Sequence, residues 1–137
     1  MKKKSLILFI ILLVVACKKD KSSPEGPTDV RIRNLSTFTL QDVTVDIDTV
    51  VNYGVINGQA TSKYIRFPKA YKEVKIIAKI DIDGLLETFT TGYVDYTYLP
   101  HIGRMKITYE IFISNQNSKL FGKNEVILDE EIFLDQE

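Results

Sequence analysis

Apolar residues recur at every second position along most of this chain, a period that fits a half-buried β-strand and does not fit a helix. Val30 and Ile32 alternate with Arg31 and Arg33, Phe38 and Leu40 with Thr39 and Gln41, and Val43, Val45 and Ile47 with Thr44, Asp46 and Asp48. Gln41 and Asp42 are polar in succession, which predicts a β-bulge or bend that re-aims the strand between two runs. Val74, Ile76, Ala78, Ile80 and Ile82 alternate with Lys75, Lys79 and Asp81, broken only by Ile77. Met105, Ile107, Tyr109, Ile111 and Ile113 repeat the pattern. Asp83-Gly84 stands between the first of these strands and a run over 85–91, and that dipeptide tolerates the positive φ angles of a tight hairpin turn. Shorter strands are predicted over 50–56, closed by Asn57-Gly58, over 62–67, closed by Pro68, and over 125–133. Such spacing predicts an all-β chain: a single antiparallel β-sandwich of about seven or eight strands, immunoglobulin-like or transthyretin-like. The tail, 124–137, mixes Val126, Ile127, Leu128, Ile132, Phe133 and Leu134 with acids, and reads either as a strand or as a C-terminal helix.

The start of the chain follows a different rule. Lys2, Lys3 and Lys4 precede an unbroken apolar run over 6–16, the pattern of an export signal. A spanning helix needs roughly 20 apolar residues, and this run stops short at Lys18 and Lys19. Val14-Val15-Ala16-Cys17 resembles the lipobox of bacterial lipoproteins, in which a small residue precedes a cysteine that receives lipid before the signal is cut away. Cys17 is the only cysteine in the chain, so an intrachain disulfide is impossible, and a reactive thiol is the rival reading. An uncleaved anchor helix and an ordinary secretory cut after Ala16 are the plainer alternatives. The resemblance implies palmitate-type acylation of Cys17 and a partner in the membrane itself. One acyl chain binds marginally, whereas two or three hold durably at roughly 0.8 kcal/mol per buried methylene.

The expected organisation is a signal peptide at 1–16, a lipidated cysteine and flexible linker at 17–27, and a β-sandwich domain at 28–137. Residues 18–27 carry no aliphatic or aromatic side chain, which predicts a solvated linker reaching about 15 to 20 Å. Removal of Lys2, Lys3 and Lys4 with the signal leaves 15 basic against 18 acidic groups, a formal charge of −3. Such a surface lacks the clustered positive charge that grips a phosphate backbone, so nucleic acid is not an expected partner. The expected location is the cell envelope, lipid-anchored to the outer membrane on its periplasmic face or at the cell surface.

Val30-Arg31-Ile32-Arg33-Asn34, Tyr53-Gly54, Thr61-Ser62-Lys63-Tyr64, Phe67, Ala70-Tyr71 and Asp95-Tyr96 together resemble short uncharacterised lipoproteins of Bacteroidetes-type bacteria with a single β-sandwich module. The likeness runs over about residues 28–113. Its residues are turn, strand and aromatic packing types, so it implies a fold and carries no activity with it. Where such proteins often continue Asp-Tyr with Val-Gly-Glu, this chain has Thr97-Tyr98-Leu99-Pro100.

Candidate chemistry is sparse. His101 is the only histidine, which excludes multi-histidine metal sites, and no Gly-x-Ser-x-Gly nucleophile elbow is present. A loop histidine without catalytic duty is the plainer reading. Asp81, Asp83 and Gly84 share a fragment of a calcium-loop pattern, but the remaining ligands do not line up, and a hairpin turn accounts for them. No metal and no cofactor are expected. Tyr93, Tyr96 and Tyr98, joined by Tyr53, Tyr64 and Tyr71, are the most suggestive set, because exposed rings bind sugars or proteins by stacking and apolar burial. Packing competes with that role, since tyrosine is also a favoured strand residue. Asp48-Thr49-Val50 matches a short O-glycosylation pattern of exported bacterial proteins, with Thr49 as the acceptor; a simple strand end is the alternative.

The resulting expectation is a membrane-anchored envelope module, not an enzyme, that binds an envelope protein or glycan or serves structurally. The competing readings are a small envelope hydrolase built on Asp46, Asp48 or Asp95, and an inhibitor or accessory subunit of another exported protein.

Overall fold

The computed structural model describes residues 26–116 and 119–131. The segments expected to be a signal peptide at 1–16 and a linker up to residue 25, together with Cys17, residues 117–118 and residues 132–137, lie outside the described residues.

Among the described residues, eight strands form two four-stranded sheets packed against each other. They are β1 (Thr28–Asn34), β2 (Leu40–Ile47), β3 (Thr49–Ile56), β4 (Ile65–Phe67), β5 (Lys75–Ile82), β6 (Leu85–Thr90), β7 (Met105–Gln116) and β8 (Lys119–Glu131). One sheet has the order β4-β1-β7-β8 and the other β3-β2-β5-β6. The alternating residues meet between them: Val30, Ile32, Val45, Ile76, Ala78, Ile80, Ile107, Tyr109 and Ile111 are all fully buried. The intervening residues carry the polar outer faces, where Arg33 pairs with Glu110 at 2.8 Å and Lys75 with Asp46 at 3.2 Å. The chain is therefore a β-sandwich, as the period of two requires.

The bulge lies where the two polar residues fall together. Leu40 and Val43 are both fully buried although they stand three positions apart, an odd spacing that a regular strand would place on opposite faces. Pairing with β3 shifts register between them, and Asp42 takes a φ of 49°, so the extra residue returns Val43 to the core. Asp83 (φ 53°) and Gly84 (φ 85°) form the two-residue hairpin loop between β5 and β6, with Ile82 opposite Leu85. The Asp81 carboxylate accepts from the Gly84 N–H at 2.8 Å, which commits it to the turn.

Two features differ from an all-antiparallel sandwich with an undecided tail. β1 and β7 run parallel, with Ile32 opposite Tyr109. Both strands start from the same end of the sandwich, so they run the same way once adjacent. The tail is a strand through Glu131: β8 pairs antiparallel with β7 from Lys119 opposite Gln116 to Glu131 opposite Met105.

β1, β5 and β7 start, and β2, β4 and β6 finish, at one end of the sandwich. The loops 68–74 and 91–104 and the turn at Asp48 gather there, while Asp83-Gly84 and the 35–39 connection lie at the other end. Thr28 Oγ1 donates to the Gly103 carbonyl at 2.6 Å, and the Ile102 N–H donates to the Ala70 carbonyl at 2.9 Å. These bonds join the two loops to the start of β1.

Candidate functional site

The loop 91–104 is long and carries no strand, yet it is anchored at three points. Thr91 Oγ1 donates to the Val74 carbonyl and accepts from the Ile76 N–H, both at 2.8 Å, tying the start of the loop to β5. Midway, the Tyr96 hydroxyl donates to the Asp46 carbonyl at 2.6 Å and accepts from the Lys75 N–H at 2.9 Å, bridging the ends of β2 and β5. Ile102 closes the loop on Ala70. Local chemistry sets the turn between these points. Asp95 Oδ1 accepts from the Thr97 N–H at 3.0 Å and opens a single 3-10 turn, Tyr96–Tyr98. Leu99 then turns extended, as the residue before Pro100 must.

An open cavity of about 670 Å³ results, with Asp48, Lys69, Tyr71, Tyr93, Tyr98 and His101 among its walls. Its floor is aromatic. The Tyr71 ring stacks on Tyr96 with centroids 4.8 Å apart and meets the His101 ring edge-on at 5.1 Å. Burial pushes the Tyr71 hydroxyl above its ordinary pKa, and the Asp48 carboxylate, hydrogen-bonded to it, adds to the shift. Burial likewise raises Tyr96. These hydroxyls are neutral donors over the whole physiological range.

The three tyrosines of the 93–98 segment come together here but divide by role. Tyr96 is a pillar, its hydroxyl spent on backbone. Tyr93 and Tyr98 are 88% and 91% exposed and carry their rings into solvent at the cavity wall. No family model, curated protein or solved structure matches the chain.

The acids are distributed differently from their positions along the chain. Asp46 points away and pairs with Lys75. Asp48 does not continue the strand: it occupies the turn between β2 and β3 with a φ of 51°, which swings it to the cavity. Aspartate tolerates that left-handed conformation, and this is the one local signal that could have placed it there. Asp95 also lines the cavity, where the Thr97 hydroxyl and N–H hold its carboxyl below the usual range. It is an ionised acceptor at neutral pH. Thr49, the first residue of β3, is exposed beside Asp48. Tyr53 and Tyr64 lie elsewhere: the Tyr53 hydroxyl donates to the Val30 carbonyl at 2.8 Å, and the Tyr64 hydroxyl donates to Asp129 at 2.8 Å under the Arg31 guanidinium. Among the described residues no group of three or more His, Cys, Asp and Glu side chains is placed to hold a metal ion. Lys69 and His101 are wall residues that no sequence pattern singled out as binding groups.

The wall thus offers flat apolar faces beside charged acceptors and donors. Sugars present the same combination in complement, with C–H faces that stack on aromatic rings and hydroxyls that donate to carboxylates and accept from ammonium groups.

Proposed function

We propose that this chain is a lipid-anchored envelope module, held at the membrane by acylated Cys17, that captures saccharide in the tyrosine-walled cavity without transforming it. One observation carries the reading: Tyr93 and Tyr98 are almost wholly exposed on a loop tied down at three points, by the Thr91 and Tyr96 hydroxyls bonded to backbone and by the Ile102 amide on the Ala70 carbonyl. Folding alone has no use for two large rings in water, and a rigid loop has already lost the entropy that binding would otherwise cost. Asp48 and Asp95 serve as hydroxyl acceptors and Lys69 as a donor. A binding role also suits Asp95, because a general acid needs a raised pKa and this carboxyl is held below the usual range. The mature charge of −3 supports a partner other than nucleic acid.

The test is a saccharide array probed with the lipidated mature chain in detergent, alongside Tyr93→Ala and Tyr98→Ala. Each substitution is expected to weaken capture by more than about tenfold, or roughly 1.4 kcal/mol. Unchanged capture by both variants, or none by wild type, would remove the saccharide reading. Palmitate incorporation into wild type and into Cys17→Ala tests the anchor: label in both, or in neither, removes it.

A further inference from the structure

We infer that the saccharide is the headgroup of a lipid in the same membrane that holds Cys17, because the tether and the cavity share one end of the sandwich. The inference rests on the saccharide reading above and names where its ligand resides.

The chain reaches the fold against the very loop that builds the site. Thr28, the first residue of β1, donates to the Gly103 carbonyl at 2.6 Å, and Gly103 belongs to the loop 91–104. Two residues earlier, Gly26 lies so close to Arg104 that a Cβ at this position would stand 2.3 Å from Arg104 Cγ. The tether therefore leaves the domain beside Arg104, on the same loop as Tyr93 and Tyr98.

Length then decides orientation. Eight residues, 18–25, separate Cys17 from Gly26, and a coil of that length would span about 14 to 17 Å on average. An eight-residue strand such as β2 or β5 is roughly 26 Å long, so the hairpin at Asp83-Gly84 stands about that much farther from the anchor. A relaxed tether shorter than the sandwich favours the near end on the headgroups, because seating the far end there would require the tether to stretch to nearly its full extension of about 30 Å. The wall chemistry fits a headgroup: rings for its apolar face, Asp48 and Asp95 for its hydroxyls, Lys69 for an oxygen acceptor. Confinement replaces affinity, since a short tether sets an effective concentration in the millimolar range. A weak site is sufficient there.

The experiment uses the lipidated mature chain in phosphatidylcholine vesicles, with and without a glycosyl diacylglycerol. With Cys17 acylated, Glu73→Cys at the cavity end and Thr39→Cys at the far end each provide a single thiol for a fluorophore, and both positions are exposed. A quencher attached to lipid headgroups is expected to act several-fold more strongly at residue 73 than at residue 39. Glycolipid should raise the quenching at residue 73 further, and Tyr98→Ala should cancel that increment. The free methyl glycoside should compete only at concentrations roughly a hundredfold above those at which the glycolipid acts. Equal quenching at the two ends, or stronger quenching at residue 39, overturns the inference while leaving saccharide capture intact. Failure of both glycolipid and free glycoside to respond to Tyr98→Ala overturns the underlying reading and this inference with it.

Discussion

The hydroxyl of Tyr109, in the middle of a core-facing run on β7, donates a hydrogen bond to the backbone carbonyl of Tyr71 in the loop before β5. Tyr71 in turn carries Tyr96 and His101 on its ring, so one buried bond connects the core to the floor of the cavity. Tyr109→Phe preserves the ring volume and removes the hydroxyl that donates to this carbonyl. Leaving a buried carbonyl unpaired costs about 1 to 3 kcal/mol. Urea unfolding should show that loss with an unchanged m-value, and saccharide capture should weaken although residue 109 touches no ligand. Equal stability of the two proteins would mean that the bond contributes nothing net.

Tyr96 and Tyr98 sit two residues apart and should respond in opposite ways. The Tyr96 hydroxyl holds the Asp46 carbonyl and the Lys75 N–H, whereas Tyr98 is 91% exposed. Tyr96→Phe should cost about 1 to 3 kcal/mol and speed hydrogen exchange at the Lys75 amide. Tyr98→Ala should change stability by less than about 0.5 kcal/mol while weakening capture by more than about tenfold. A destabilised Tyr98→Ala would show that this ring packs rather than binds.

The sandwich was legible because burial writes itself into the chain at period two, and the bulge because Gln41 and Asp42 interrupt that period where the register shifts. Asp83-Gly84 marked its hairpin by backbone tolerance alone. Alternation reports which face a residue takes and is silent about its neighbour strand, so the parallel pairing of β1 with β7 left no trace in the pattern. In the tail, acids interspersed with Val126, Ile127 and Leu128 satisfy both periods, and only pairing with β7 selects the strand. The site was half visible. Tyr93, Tyr96 and Tyr98 stood out by type, but the split between pillar and exposed wall depends on a bond from Tyr96 to Asp46 across 50 positions. Asp48 looked like one more outward strand residue, and a single positive φ moved it to the cavity.

Asn34 offers a sharper test of the far end. It is fully buried; its amide nitrogen donates to the Phe38 carbonyl at 2.7 Å and the Asn57 carbonyl at 3.0 Å, and its Oδ1 accepts from the Ser36 N–H and hydroxyl. Asn34→Ala leaves these groups unpaired and should cost about 1 to 3 kcal/mol. Asn34→Asp aims a carboxylate at three carbonyls, those of Phe38, Ile56 and Asn57, and should cost more, about 3 to 5 kcal/mol at neutral pH. Burial beside those carbonyls raises the pKa of the introduced carboxyl, so the folded state favours its proton. The deficit should therefore be largest near neutrality and shrink as the pH falls through the raised folded value toward the unfolded value of about 3.9. Thermal melts of the three proteins from neutral to acid pH would show the gap between wild type and Asn34→Asp closing. A constant gap would place the carboxyl in water.

The alkaline limb follows from Tyr53 and Tyr109. Burial drives both phenols well above their ordinary value, and each hydroxyl is held by a backbone carbonyl, Val30 for Tyr53 and Tyr71 for Tyr109. Below about pH 10 both are protonated in the folded and the unfolded chain, and they add no pH dependence. Above that value the unfolded chain releases two protons that the folded chain retains, so stability falls as the pH rises and continues to fall until the folded values are reached. The slope from this pair approaches roughly 2.7 kcal/mol per pH unit, twice the 1.36 kcal/mol of a single group. Tyr53→Phe should remove about half of that pair's slope while also costing its hydrogen bond at neutral pH. Urea unfolding above pH 10, followed in parallel by phenolate absorbance, measures both quantities. Phenolate absorbance from all seven tyrosines before any loss of structure would refute the buried, proton-retaining state of Tyr53 and Tyr109.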